Sequence, residues 1–137
     1  MTTALDLTDQ LGNYLVRTQH IRVGDTPLFN LGADERKLLN RVLEQIIHHG
    51  VGVTLNSATL RFNTVCSKWT HKDFIFAIES LFENHYEYYN ELEYFTQSRY
   101  LPSFTILHDK WIKLELNVDF IPFVEQQREL INVYAIM

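Results

Sequence analysis

Histidine, cysteine and carboxylate side chains are the groups in this sequence that could support nucleophilic, acid–base or metal chemistry. Cys66, His108 and Asp109 have the residue types of a thiol nucleophile, a base and an orienting carboxylate. Nothing in their spacing brings Cys66 to the other two, and no reactive-site signature surrounds it. The sequence therefore predicts no catalytic residues, and a small metal- or cysteine-dependent enzyme is kept only as an alternative.

The histidine positions have ordinary structural explanations. His48 and His49 are neighbours, and adjacent helical side chains point about 100° apart, so the pair cannot chelate one ion in regular geometry. His85 is not part of an H-E-x-x-H motif, and the five glycines form no phosphate-binding loop. We therefore expect no metal, no cofactor and no small-molecule ligand.

The spacing that stands out is that of the glutamates in residues 76–95, FAIESLFENHYEYYNELEYF. Four of its five glutamates recur at every fourth position, which would place them on one stripe of a helix. No lysine or arginine falls between Asp73 and Gln97, although exposed helices usually mix both charges. Aromatic side chains on the same side would supply affinity, and the acids would steer a basic partner. The predicted partner-binding residues are Phe76, Glu79, Glu83, Tyr86, Glu87, Glu91 and Tyr94.

Two other interpretations of the acidic stripe stay open. In the first, the stripe is a solvated outer face. Each like-charge pair lowers helix stability by only about 0.2–0.5 kcal/mol, and good packing of the opposite face offsets that loss. In the other, the acidic helix imitates the phosphates of nucleic acid and blocks a DNA-binding protein.

The stripe requires one long helix over residues 71–97. Thr70 and Asp73 resemble a capping box, with Asp73 in place of the usual glutamate. From Phe74 to Phe95, apolar and aromatic residues recur at alternating steps of four and three, which predicts a heptad-type seam packed on the protein.

The other elements predict an α+β fold. The hydrophobic periodicities indicate helices over residues 6–20 and 34–49, strands over residues 51–55 and 59–66, and strands over residues 104–107 and 111–120. After Pro122 we expect a short helix or turn and then a final strand. About three helices, one of them long, would pack on one face of a small, mostly antiparallel sheet in a single compact domain over residues 1–137.

The two halves of the chain differ in their balance of basic and acidic residues. Residues 1–72 contain eight Lys/Arg and six Asp/Glu, whereas residues 73–137 contain four and eleven. A net charge of −5 argues against unaided nucleic-acid binding and favours a basic protein partner. A winged-helix-like DNA-binding protein remains a further alternative, with Arg36, Lys37 and Arg41 on a helix before a hairpin over residues 51–66.

The sequence has no apolar run of about 18 residues and no basic-then-apolar leader, so we expect neither a membrane span nor a signal peptide. Its one cysteine fits a reducing cytoplasm. The main prediction is a non-catalytic protein-interaction or assembly subunit that docks a basic partner or another copy of itself. Compact acidic chains of this kind are also typical of viral and phage structural subunits and inhibitors, whose location would be the host cytoplasm or the virion.

Overall fold

The computed structural model describes residues 7–18, 31–49, 56–89 and 95–136. These residues form four helices and five strands. In chain order they are α1 (Leu7–Thr18), α2 (Ala33–His49), β1 (Ser57–Arg61), α3 (His71–Glu83), β2 (His85–Tyr89), β3 (Phe95–Arg99), β4 (Ser103–Ile106), β5 (Trp111–Glu115) and α4 (Ile121–Ile136). The predicted α+β class is therefore confirmed, with helices packed against a small antiparallel sheet.

α2 lies at the centre of the helical layer and contacts α1, α3, α4 and β1. It begins with Asp34 and Glu35, whose negative charges suit the positive end of the helix dipole. Its apolar face is fully buried. The buried residues are Leu38, Leu39, Val42, Leu43, Ile46 and Ile47. The predicted helix over residues 34–49 is confirmed, and α1 confirms the helix predicted over residues 6–20 within the part described.

The sheet has the strand order β1-β5-β4, with both pairings antiparallel. β5 follows a strict alternation in which Ile112 and Leu114 are buried while Trp111 and Lys113 are exposed. Because successive side chains of a strand point to opposite faces, one face of the sheet packs on the helices and the other faces solvent. The predicted hairpin between residues 104–107 and 111–120 is confirmed in its pairing of β4 with β5.

Two predicted strands are shorter than expected. β5 ends at Glu115, because the Asn117 side chain accepts a hydrogen bond from the Asp119 backbone N–H and folds residues Val118–Phe120 into a 3₁₀ turn. β1 ends at Arg61, and a second 3₁₀ turn follows over Phe62–Thr64. Cys66 consequently lies in a turn and not at a strand end. Residues 51–55 lie outside the described part of the chain.

The final strand predicted after Pro122 is wrong, because residues Ile121–Ile136 form the single helix α4. Pro122 is compatible with the first turn of a helix, where its missing N–H needs no partner. Phe123 and Val124 are buried against the core, and the Phe123 ring lies 5.7 Å from that of Tyr14 in α1. This anchoring at the start of α4 outweighs the strand preference of the β-branched and aromatic residues that follow.

The predicted long helix over residues 71–97 is also wrong in its extent, because α3 ends at Glu83. The expected capping box at its start is present: Asp73 N–H donates to the Thr70 hydroxyl, and Thr70 N–H donates to the Asp73 carboxylate. At the other end, Asn84 adopts an extended backbone and donates its side-chain amide to Ser80 O. The aromatic run that follows favours a strand.

β2 and β3 form an antiparallel hairpin in which His85 lies opposite Arg99. Arg99 donates to the Phe82 carbonyl oxygen at 2.8 Å, and its guanidinium lies 4.8 Å from the Phe82 ring centroid. Asn117, in turn, donates its side-chain amide to the Arg99 carbonyl oxygen at 2.8 Å. These bonds tie the hairpin to the end of α3 and to the turn before α4.

Candidate functional site

The predicted partner-binding residues separate into three groups. Phe76, Glu79 and Glu83 are exposed on the outer side of α3, opposite the buried residues of that helix, and Phe76 is 69% exposed. We call these three residues the acidic helix surface. Its exposure agrees with the sequence analysis, and its use as an interface stays a prediction.

The other predicted partner-binding residues do not continue that surface along a helix. Tyr86 and Glu87 lie in strand β2, so the four-residue spacing of the glutamates stops at Glu83. Glu91 and Tyr94 lie outside the described residues. The predicted helical stripe of four glutamates is therefore wrong, because α3 ends before its third member.

The acidic helix surface is electrostatically unfavourable for its own helix. Glu79 and Glu83 stand four residues apart on the exposed side, a spacing at which like charges repel. Glu83 is also the last residue of α3, where the helix dipole disfavours negative charge. Within the described residues, neither glutamate makes an ion pair with a basic side chain. Their charge is consequently presented to solvent or to a partner.

The basic residues that the DNA-binding alternative placed on α2 are mostly used inside the fold. Arg36 forms an ion pair with Asp9 of α1. Arg41 donates to the Thr64 carbonyl oxygen at 3.2 Å and lies 3.8 Å from a carboxylate oxygen of Glu44. Lys37 is the exposed member of the three. The predicted basic patch on α2 therefore reduces to one exposed cation.

A different basic surface forms where β1 and β5 meet. The β-sheet register places Arg61 directly opposite Trp111. Phe62 lies between two cations, with the Arg61 guanidinium 5.2 Å and the Lys110 ammonium 5.5 Å from its ring centroid. Such distances correspond to cation–π contacts. We call Arg61, Phe62, Lys110, Trp111 and Lys113 the basic-aromatic surface.

The solvent-facing side of the sheet extends this surface. Thr59, Lys113 and Thr105 form one row across β1, β5 and β4, and all three are exposed. The carboxylate on this side is Glu115, which lies 3.7 Å from the Lys113 ammonium and accepts a hydrogen bond from Ser103 at 2.9 Å. The row offers a cation and two hydroxyl groups, a set suited to phosphate oxygens.

The tip of the β4–β5 hairpin is held in an uncommon conformation. Lys110 has a φ angle of 67°, in the left-handed region that residues other than glycine rarely adopt. Leu107 N–H donates to the Trp111 carbonyl oxygen at 2.8 Å and closes the turn. Trp111 is 41% exposed beside the exposed Ile106 and Leu107. The turn thus projects a cation and apolar side chains together.

The sequence contains a signal for this surface that its periodicity alone does not reveal. Arg61-Phe62 and Lys110-Trp111 are two basic–aromatic pairs, and Lys110-Trp111 begins the clearest strand. Their proximity depends on the pairing of β1 with β5, whereas the sequence suggested that β1 pairs with residues 51–55. The residues were visible in the sequence, but the pairing that joins them was not.

An open groove of about 470 Å³ lies between α1 and α4. It is lined by Gln10, Asn13, Arg17, Phe123, Gln126 and Gln127. The polar side chains among them can form hydrogen bonds, but none of these described lining residues carries a carboxylate, thiol or imidazole for acid–base or metal chemistry. Across the described ranges, no cluster of three or more His, Cys, Asp or Glu residues could hold a metal ion.

No protein-family model and no curated protein matches this sequence. Among solved structures, the chain resembles the WH1 domain of MSBI1.176, a replication protein isolated from a multiple sclerosis patient. The TM-score is 0.52 at 15% sequence identity, and the match covers 85% of this chain and 98% of that domain. At this identity, the likeness shows a common fold.

None of the helices in the described part of the chain is long and apolar enough to cross a membrane.

Proposed function

We propose that this chain is a non-catalytic DNA-binding domain that holds duplex DNA with its basic-aromatic surface. The observation that carries this proposal is the cluster of Arg61, Phe62, Lys110 and Trp111, which two cation–π contacts and the β1–β5 register assemble at one end of the sheet, with Lys110 and Trp111 exposed. The similarity in fold to a domain of a replication protein also supports DNA binding.

Such binding would use contacts with the DNA phosphates and would not read the base sequence. α3 follows β1 in the chain, and its exposed side carries Glu79 and Glu83, which phosphates repel. The cations at the basic-aromatic surface lie on strands and on a turn. Phosphate contacts position a protein on DNA but carry no sequence information. We therefore expect weak, sequence-independent binding with a dissociation constant of about 10⁻⁴–10⁻⁶ M at physiological salt.

The test is a salt titration of binding to a labelled DNA duplex, followed by fluorescence anisotropy. Three phosphate contacts correspond to a slope of log K against log salt of about −2 to −3. The variant combining Arg61→Gln, Lys110→Gly and Lys113→Gln should bind at least about tenfold more weakly at low salt and should lose this slope.

The matched control combines Arg17→Gln, Lys37→Gln and Arg128→Gln, which removes the same charge from three helices. The control should bind with nearly the affinity of the unaltered protein. Equal losses in the two variants would show a nonspecific response to net charge and would refute the assignment. Tighter binding of a single strand than of a duplex would refute duplex DNA as the ligand.

A second function, protein docking at the acidic helix surface, is favoured by a separate observation. Phe76 is the most exposed of the large apolar side chains described, and it lies one helical turn from Glu79. A large aromatic side chain next to unpaired carboxylates is suited to a basic protein surface. Glu87 lies in β2, so Glu79 and Glu83 are the residues to alter.

The docking function can be tested by titration with a fluorescent lysine- and arginine-rich peptide. The variant combining Glu79→Lys and Glu83→Lys should lose binding of this peptide. The control combines Glu125→Lys and Glu129→Lys, two exposed glutamates of α4 with the same four-residue spacing. Equal binding by both variants would show that the acidic helix surface is only solvated.

A further inference from the structure

The two exposed surfaces are complementary in charge and in chemistry. The acidic helix surface presents Glu79 and Glu83 beside the exposed ring of Phe76. The basic-aromatic surface presents Lys110 and Lys113 beside the exposed ring of Trp111. Each surface has a pair of like charges next to an aromatic anchor, with Glu115 beside Lys113 as the opposite charge on the basic side. An aromatic anchor beside charge is the composition of a steered interface with a buried centre.

These surfaces cannot pair within one molecule. α3 is fixed in direction, because its capping box sets its start and its core-facing residues are fully buried. Its first residue, His71, packs edge-on against Phe62 at 6.2 Å between ring centroids. At 1.5 Å of rise per residue, Glu83 lies about 18 Å along the helix from His71. The acidic end therefore lies far from Lys110 and Arg61 of its own chain, and the cation beside it, Arg99, is bonded to the Phe82 carbonyl oxygen.

The two glutamates of the acidic helix surface have no cation paired with them among the described residues. Glu79 and Glu83 make no ion pair in the described residues, and Glu83 destabilises the end of its own helix. A cationic surface placed against them would remove that repulsion. Lys110 is exposed on a turn and Lys113 is about half exposed on a strand, so both can reach a neighbour.

We propose that the acidic helix surface of one copy docks on the basic-aromatic surface of a second copy and competes there with DNA. The competition rests on the proposed DNA-binding function, whereas the docking itself does not. The contact joins two different surfaces, so one copy of a pair keeps its basic-aromatic surface free and the other keeps its acidic helix surface free. Such head-to-tail contacts form rings or open chains and not two-fold dimers.

Exchanging charges between the surfaces tests the docking directly. One variant combines Glu79→Lys and Glu83→Lys, and the other combines Lys110→Glu and Lys113→Glu. Sedimentation velocity at low salt should show concentration-dependent association of the unaltered protein, weakened at least about tenfold in either variant alone. An equimolar mixture of the variants should associate again, because the intact basic-aromatic surface of one variant meets the intact acidic helix surface of the other, and the two reversed surfaces also complement each other.

A glutamate-to-lysine exchange at Glu125 and Glu129 of α4 serves as the control and should leave association of the chain unchanged. The proposal is overturned if the unaltered protein stays monomeric at low salt, or if the mixture of the two variants associates no better than each alone. Circular dichroism of each variant shows that its fold is intact before the comparison is made.

Competition is measured by adding a DNA duplex to the associated protein. Dissociation of the oligomers as DNA binds supports the shared surface, and oligomers that bind DNA without dissociating overturn the competition. If no form of the protein binds DNA while the mixed variants still associate, the proposed DNA-binding function fails and the docking stands.

Discussion

The acidic helix surface and the basic-aromatic surface carry opposite charges, and they are also built in different ways. The acidic surface belongs to one helix, and its residues are neighbours in the sequence. The basic-aromatic surface joins the end of β1, the turn after it and the β4–β5 hairpin. The first depends on local helix formation, whereas the second depends on long-range strand pairing. Substitutions can therefore affect the two surfaces separately.

The largest effect should come from a core substitution that supports both surfaces. Leu114 is fully buried on the helix-facing side of β5. Leu114→Ala should lower the free energy of unfolding by about 2–5 kcal/mol, since it removes buried methyl groups and leaves a cavity. Urea denaturation measures the loss, with Thr105→Ala on the exposed side of β4 as a control that changes it little. A loss below about 1 kcal/mol would mean that β5 does not centre the core.

A smaller effect is expected at the start of α3, and it separates the two surfaces. Thr70→Ala removes one half of the capping box and should destabilise the protein by about 0.5–2 kcal/mol. Because the cations of the basic-aromatic surface lie on β1 and the β4–β5 hairpin, and its contact with the start of α3 is that of Phe62 with His71, its DNA affinity should change little at temperatures where the variant is folded. Thermal unfolding measures the change in stability, and fluorescence anisotropy measures the DNA affinity. Thr70→Ser, which keeps the hydroxyl group, should behave as the unaltered protein.

Substitution of the turn residue Lys110 should weaken binding while leaving stability nearly unchanged. Lys110→Gly relieves the strain of a left-handed backbone conformation in the folded state, but it also raises the conformational entropy of the unfolded chain. The net change in unfolding free energy should therefore be within about 1 kcal/mol. The same substitution removes a cation and should weaken DNA binding. Lys110→Asn tolerates the conformation and should give the same loss of affinity. Retention of full affinity by both variants would remove Lys110 from the binding surface.

The smallest effect is expected at the end of α3. Glu83→Gln removes a charge that opposes the helix dipole and repels Glu79, so it should stabilise the protein by about 0.3–1 kcal/mol at low salt. High salt should reduce the gain, because it screens exposed charges. Urea denaturation at two salt concentrations provides the measurement. Glu125→Gln near the start of α4 should give no such gain.

Local patterns predicted much of this fold. The capping box of Thr70 and Asp73, the broad apolar face of α2 and the alternation of β5 each depend on residues close in sequence, and each is confirmed. Their signals arise from the periodicity of single elements and need no knowledge of tertiary contacts.

The wrong predictions arose where tertiary contacts or a local side-chain bond decided the outcome. The heptad-type spacing of apolar residues continues past Glu83 in the sequence and predicted a longer helix. In the structure, the Asn84 side-chain amide donates back to the Ser80 carbonyl oxygen, and the aromatic residues that follow pair as strands. The last segment has strand-forming residues, but Phe123 and Val124 anchor it as a helix. Long-range strand pairing also explains why the basic-aromatic surface was not predicted. The register of β1 with β5 brings its two basic–aromatic pairs together.

The bonds of Arg99 have a consequence for how this molecule opens. Arg99 holds the last turn of α3 through Phe82 and is itself held by Asn117 before α4. Three segments that are distant in sequence thereby share one set of bonds. In native-state hydrogen exchange, their amides should consequently exchange as a single cooperative unit with a common opening free energy. Arg99→Ala would divide that unit, and the β2–β3 hairpin would then exchange ahead of the helix it now closes.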